Sequence, residues 1–345
     1  MRHQKKRWFA ALLALCMLLS ILPSTSLAFS ESEETWSGNR RNQTIDGGTH
    51  TITLSNLTID SPGVEKSAID ITGNADVTFI LEGNNTLSGY RNHPAIWVES
   101  GSSVTFEGNG LLEASAGGAS IGLGAAGIGG GYGASSNFGN ITINGGTIIA
   151  RGSGGGAGIG GGYEVGSGTV TGNITINGGY VTAIGGSSGS TGGAGIGSGE
   201  NANYGGTVTI NGGVVYAEGG ADSTSIGSGN RAIGTSDNGA FTTGTGGNAV
   251  IVAPDGIGDP SGFADWDGIF ISYEGSNTSA TVGEDGTVHL NDTEANIQVW
   301  GEPVIDYPLV VESGTELRVV QNDRNYAYAT LEIGQDGKLT NNGTV

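Results

Sequence analysis

An all-β, three-sided parallel β-helix is the fold class this sequence predicts, and three observations predict it. The first is a repeat. Gly139-Asn-Ile-Thr-Ile-Asn-Gly-Gly146 returns at Gly172–Gly179 and, as Gly206-Thr-Val-Thr-Ile-Asn-Gly-Gly213, after intervals of 33 and 34 residues. The second is a side-chain period of two: the isoleucines of Ile141-Thr142-Ile143 point one way and the threonine the other, as a strand requires. The third is a Gly-Ile-Gly element at Ile128, Ile159 and Ile196, and as Ser-Ile-Gly at Ile226, that closes each unit. A fixed period of this length marks an architecture in which each unit buries its apolar face only against its neighbours.

Taken in order, the chain opens with Arg2, Lys5, Lys6 and Arg7, then an apolar run from Trp8 to Leu22 and the small-x-small site Ser26-Leu27-Ala28. This pattern reads as a signal peptide over residues 1–28, cut after Ala28. A secreted protein, extracellular or at the cell surface, is therefore expected. Cys16 sits inside the apolar run, so the exported chain is expected to lack disulfides. No later stretch is long and apolar enough to span a bilayer, and no membrane insertion is expected. Removing the leader takes four of the 13 basic residues and none of the 33 acidic ones, which deepens the net charge from −20 to −24. Such a surface repels nucleic acid and anionic membranes, so neither is an expected partner.

Residues 29–44 read as a polar lead-in. The parallel β-helix is expected over residues 45–247, in turns of 25–36 residues, with a right-handed coil. Ile52-Thr53-Leu54, Val77-Thr78-Phe79 and Val104-Thr105-Phe106 open its early turns, which carry large residues for the core: Phe79, Leu81, Trp97 and Phe106. Later turns replace these with glycine, which suits tight corners that need φ > 0. Their second strands are Thr147-Ile-Ile-Ala150, Tyr180-Val-Thr-Ala183 and Val214-Val-Tyr-Ala217. Residues 248–345 read as a continuing solenoid, with strands at Ala249–Val252 and Gly268–Ser272. The sequence ends on a strand-like Thr344-Val345 without a polar cap, and solenoids need capping, so a longer parent protein is expected.

The stretch Ser67-Ala-Ile-Asp-Ile-Thr-Gly-Asn-Ala-Asp-Val-Thr-Phe-Ile-Leu-Glu-Gly-Asn-Asn-Thr-Leu-Ser88, followed by Ala95-Ile-Trp-Val-Glu-Ser, resembles the secreted carbohydrate-binding right-handed β-helix domains of Gram-positive bacteria. The Gly-Ile-Gly-Gly-Gly and Ile-Asn-Gly-Gly repeats are similar to glycine-rich bacterial surface proteins. The tail Gly337-Lys-Leu-Thr-Asn-Asn-Gly-Thr-Val345 is similar to repeats that lead such proteins towards cell-wall anchoring modules. The resemblance covers roughly residues 45–345. It implies polysaccharide binding with calcium as a candidate cofactor, and a fold shared with pectate lyases. Fold likeness does not establish function.

Four candidate sites follow from the residues. An outward threonine column runs through Thr53, Thr78, Thr105, Thr142, Thr175 and Thr209, with Asn144, Asn177 and Asn211 beside it. A flat wall of hydroxyls and amides suits glycan hydroxyls or ordered water, although Thr also favours strands and Asn favours turns for structural reasons alone. Tyr132, Tyr163, Tyr180, Tyr204 and Tyr216 could stack on sugar rings, while scattered exposed tyrosines need no function. Asp255, Asp259, Asp265 and Asp267 supply hard oxygen ligands for calcium, but their spacing matches no calcium-loop pattern. Catalysis would need a strong base beside carboxylates, or paired carboxylates. The repeats offer only Arg151, Glu164, Glu200, Glu218, Asp222 and Arg231, with no cluster visible. His50, His93 and His289 are isolated. The leading expectation is a non-catalytic module that binds a polysaccharide, a host or plant glycan. The alternatives are a calcium-dependent polysaccharide lyase and a passive adhesin or stalk.

Overall fold

The structure, a computed structural model, describes residues 34–60, 66–118, 123–133, 136–165, 168–230, 238–243, 249–258, 268–272, 280–282, 287–290, 296–300, 304–305, 308–311, 318–321, 332–333 and 338–341. The expected signal peptide lies outside them. Every element of regular structure among the described residues is a β-strand.

The chain visits three walls in rotation. The first wall stacks Asp76–Glu82, Ser103–Gly108, Asn140–Ile143, Asn173–Ile176 and the end of Ala202–Ile210, all parallel and in register. The second stacks Asn84–Ser88, Leu111–Ser115, Thr147–Arg151, Tyr180–Ile184, Val214–Glu218 and Ala249–Val252. The long strand Thr49–Asp60 contributes its first half to one wall and its second half to the other. The third wall is a separate sheet of 7 strands, from Gln43–Asp46 to Ile226–Gly227. This is the three-sided parallel β-helix that the repeat predicts.

Alternation decides what lies inside. Val77, Val104, Ile141, Ile174 and Val208 form one fully buried column, and Ile69, Ile96, Ile128, Ile159, Ile196 and Ile226 form another. In the early turns the core is aromatic: Trp36, Phe79 and Phe106 follow one another at centroid separations of 6.3 and 5.9 Å. Asn85 occupies an inward position and is 1% exposed. Its carbonyl accepts from the Leu57 amide, and its own amide donates to the Glu82 and Leu111 carbonyls, so the buried polar group is satisfied.

Glycine shapes the third wall of the later turns. Its strands shrink to two residues, and the chain folds into an arch whose tip isoleucine points into the core. The Ala157 amide donates to the Gly161 carbonyl across the arch at 2.9 Å, and Ala126 and Ala194 do the same to Gly130 and Ser198. At Gly129, Gly160, Gly197 and Gly227, φ lies between +128° and +138°. A β-carbon on Gly129, Gly160 or Gly197 would lie 2.1, 1.9 or 1.8 Å from the next turn's carbonyl oxygen. No side chain fits there.

Three features differ from the sequence expectation. The polar lead-in contains the strand Glu34–Asn39, which pairs with Thr49–Asp60 and seats Trp36, 4% exposed, on the first aromatic layer. One indole outweighs the surrounding charges because it closes the end of the core. Trp97 is not a core residue. It alternates with the inward Ile96 and Val98, and so stands on the outer side of the third wall beside Asp70. Finally, the continuation beyond residue 248 is not an uninterrupted coil. Gly268–Ser272 still pairs parallel with Ala249–Val252, but Asn296–Trp300 runs antiparallel to it. Three strands per turn then resume: Val288–Leu290 pairs with Pro308–Val311, Asn296–Trp300 with Arg318–Gln321, and Val304–Ile305 with Glu332–Ile333, each parallel.

Candidate functional site

The outer side of the first wall carries the most regular arrangement of polar groups. Its centre is the threonine column, which runs through Thr51, Thr78, Thr105, Thr142, Thr175 and Thr209 on consecutive strands. Thr51, not Thr53, is the member from the first full turn; Thr53 stands beside Ile80. A two-residue slip preserves the inward–outward alternation, so the pattern of apolar residues alone does not distinguish the two. Threonine hydroxyls repeat every strand spacing, about 4.8 Å.

Two ladders flank the column. On one side the Asn177 amide donates to Asn144 Oδ1 at 2.8 Å, the Asn211 amide to Asn177 Oδ1 at 2.7 Å, and the Asn144 amide to Glu107 at 3.2 Å. On the other, the Asn173 amide donates to Asn140 Oδ1 at 3.1 Å, and the Thr207 hydroxyl donates to Asn173 Oδ1 at 2.7 Å. Each ladder lies two residues from the threonines, about 6.6 Å along the strand. The ladders hold the amides rigid while spending only part of their capacity. An Asn carries two N–H donors and two acceptor lone pairs, and one donor on Asn144 and on Asn177 has no partner among the described residues. The Thr142 and Thr175 hydroxyls are half-buried and make no hydrogen bond among the described residues. The wall is thus a preorganised lattice of donors and acceptors with little side-chain freedom left to lose on binding.

The five tyrosines do not form one platform. Tyr132 and Tyr163 stack on each other at 5.7 Å and 23° where the glycine arches emerge, and the Asn201 amide donates to the Tyr163 hydroxyl at 2.8 Å. Rings this close leave no room for a sugar between them. Tyr180 is half-buried on the second wall, between Thr147 and Val214. Tyr204, expected as a sugar contact, is 1% exposed. It stacks on Phe138 at 6.3 Å and donates to the Gly172 and Thr207 carbonyls at 2.8 and 3.1 Å. Burial raises its pKa. It fills the wide glycine corner from within. Tyr204→Phe is expected to destabilise the protein by about 1 kcal/mol, the net value of its hydrogen bonding; paired urea melts of the native chain and the variant measure it. Tyr216 points outward by register but is 6% exposed; the strand Ala280–Val282 passes close to Val214–Glu218. Its hydroxyl donates to Glu218 at 2.8 Å.

Of the proposed calcium ligands, Asp259, Asp265 and Asp267 lie outside the described residues. Asp255 is described, and its carboxylate accepts from the Gly219 amide at 2.9 Å and from the Ser225 hydroxyl at 3.4 Å, tying consecutive turns together. Burial pushes its pKa up from 3.8; the Gly219 amide opposes this, the Glu218 charge adds to it and Ser225 opposes it. An acid raised in the fold is penalised when ionised, so stability rises as pH falls through the folded pKa and levels off below the unfolded value. Asp255→Asn keeps an acceptor and removes that penalty. The variant is expected to exceed the native chain in urea midpoint at neutral pH, with the gap closing on acidification towards 3.8; a gap that widens would refute this account. Among the described residues no group of three or more His, Cys, Asp or Glu could hold a metal ion.

Neither Asp70 nor Trp97 is among the candidate site residues read from the sequence, yet they stand side by side on the outer third wall. A sequence signal for them exists: each sits between two inward apolar residues, in Ile69-Asp70-Ile71 and Ile96-Trp97-Val98. Comparisons of the chain with protein-family models, with curated proteins and with solved structures find no match.

Proposed function

We propose that this protein is an extracellular, non-catalytic β-solenoid module that binds a linear polysaccharide along its first wall. The observation that carries the reading is the threonine column framed by two hydrogen-bonded ladders. A polymer of repeating hydroxyls meets a wall of repeating donors and acceptors, and many weak contacts add through avidity. Of the carboxylates on its strands, Asp76 and Glu107 accept from Ser103 and Asn144, and Glu82 is exposed at the end of Asp76–Glu82. A passive stalk is the second reading, favoured by the share of amide bonding that the ladders spend on one another.

Titration calorimetry against linear glycans of increasing length separates the two. Binding should strengthen with chain length until the ligand spans the wall. Absence of heat across neutral plant and bacterial glycans, or affinity independent of length, would sink the binding reading in favour of the stalk.

A further inference from the structure

The molecule has a second surface of unlike character, on the corner where the second wall turns into the third. Thirteen lysines and arginines, four of them in the leader, leave nine for the rest of the chain. Four of those nine, Arg40, Arg41, Lys66 and Arg91, sit on this corner in the first three turns, and His93 is with them. They are brought together by backbone bonds between turns. The Arg40 amide donates to the Thr58 carbonyl at 2.9 Å and the Tyr90 amide to the Lys66 carbonyl at 3.1 Å, while the Asn42 side chain donates to the Ser67 carbonyl. The His93 amide donates to Tyr90 at 2.9 Å, closing the loop that presents Arg91.

Two of the cations are oriented by aromatic rings. The Arg40 guanidinium lies 5.6 Å from the Trp36 ring centroid and that of Arg91 lies 5.7 Å from Tyr90. Arg41, Lys66 and Arg91 are exposed. The corner also holds acids. Glu34 lies 4.0 Å from Arg40, Asp60 is exposed, and Asp70 is 9% exposed, its pKa raised by burial against the opposing effects of Ser67, Lys66 and His93. With Arg40 facing Glu34, the exposed charges left on the corner among the described residues are the cations Arg41, Lys66 and Arg91 and the acid Asp60. Beside Asp70, the Trp97 indole N–H is buried and has no hydrogen-bond partner among the described residues.

We propose that this corner is an anion-binding edge for a linear acidic polysaccharide, in which Arg41, Lys66 and Arg91 meet carboxylate or sulfate groups carried on successive sugars. The proposal is independent of the first-wall reading, since it concerns a different face of the coil. A thin polymer is favoured by size and charge. The corner spans two strand spacings, about 10 Å, comparable to the Debye length of about 8–10 Å. The rest of the exported chain is strongly acidic. A bilayer or a nucleic-acid duplex broad enough to cover the corner would also face that repelling surface, whereas a single polysaccharide strand need not.

The test uses the full exported chain with polygalacturonate, dextran sulfate and neutral dextran, by calorimetry at low and at high salt. Binding is expected to one or both anionic polymers, to weaken with salt, and to be absent for neutral dextran; the polymer that binds identifies the anion. The combined substitutions R41E, K66E and R91E are expected to weaken binding by about 100-fold, as loss of three contacts of roughly 1 kcal/mol each implies. R151E, which reverses an exposed cation on the second wall, is expected to change nothing. Because the three residues are exposed, the melting temperature of the triple variant should match that of the native chain. A variant with hydroxyls removed from the first wall should keep its acidic-polymer binding. The proposal is overturned by equal binding to neutral dextran, by an R151E effect as large as that of the triple variant, by stronger association with phosphatidylserine vesicles than with either polymer, or by no binding at low salt.

Discussion

Gly197→Ala is expected to cost the coil on the order of 3–5 kcal/mol, combining backbone strain with a steric overlap that the stacked turns cannot relieve. The added methyl would sit 1.8 Å from the Gly227 oxygen at a φ of +138°, and the oxygen belongs to the neighbouring turn's arch. Two controls separate the causes. Gly189 has a φ of +65° with nothing within 4 Å of an added methyl, so Gly189→Ala should cost only the left-handed penalty of about 1–2 kcal/mol. Gly118 has open space and an ordinary φ, and Gly118→Ala should fall within about 0.5 kcal/mol of the native chain. Urea denaturation of the three variants checks the order. If Gly197→Ala were no worse than Gly189→Ala, the arches would not be the close-packed stack described above. Each turn contacts only its neighbours, so hydrogen exchange should locate the damage around Ile159–Gly160, Ile196–Gly197 and Ile226–Gly227 rather than throughout the coil.

The combined change Thr142→Val, Thr175→Val and Thr209→Val is expected to reduce affinity for a wall-spanning glycan by roughly 10–1,000-fold. Valine keeps the shape of threonine and removes its hydroxyl, and a hydrogen bond is worth about 0.5–1.5 kcal/mol net. Stability should hardly move, because valine is at least as good a strand former. A single Thr175→Val should weaken binding only a few-fold, which is the signature of a repeated contact rather than one anchoring residue. Calorimetry with matched melting curves reads both quantities. Retained affinity in a stable triple variant would remove the first wall from the binding reaction.

Much of this architecture is legible in the amino-acid sequence. The isoleucine columns follow from phase: Ile141, Ile174 and Val208 sit at the same place in each copy and are buried together in register. Asn144, Asn177 and Asn211 are visible as a companion column, and they form a hydrogen-bonded ladder. Thr53 misleads by two residues along its strand, because a shift of two leaves every side chain on the same face. Hydrophobicity points Trp97 to the core, although its neighbours Ile96 and Val98 already claim the inward positions. The polar tip of tyrosine points Tyr204 and Tyr216 to the surface. Tyr204 instead buries its ring and still satisfies the hydroxyl from two backbone carbonyls.

What the amino-acid order determined alone was the coil. Copies spaced 33 and 34 residues apart, each with strands of period two, bury their apolar positions only by stacking in register, and that requirement is local to adjacent turns. What only the tertiary structure decided was exposure: which outward residues meet water and which meet another part of the chain. Ala280–Val282 returns to pass close to Val214–Glu218, and the strand direction reverses between Gly268–Ser272 and Asn296–Trp300. Burial at such places depends on segments distant in sequence, whose arrival no local period records.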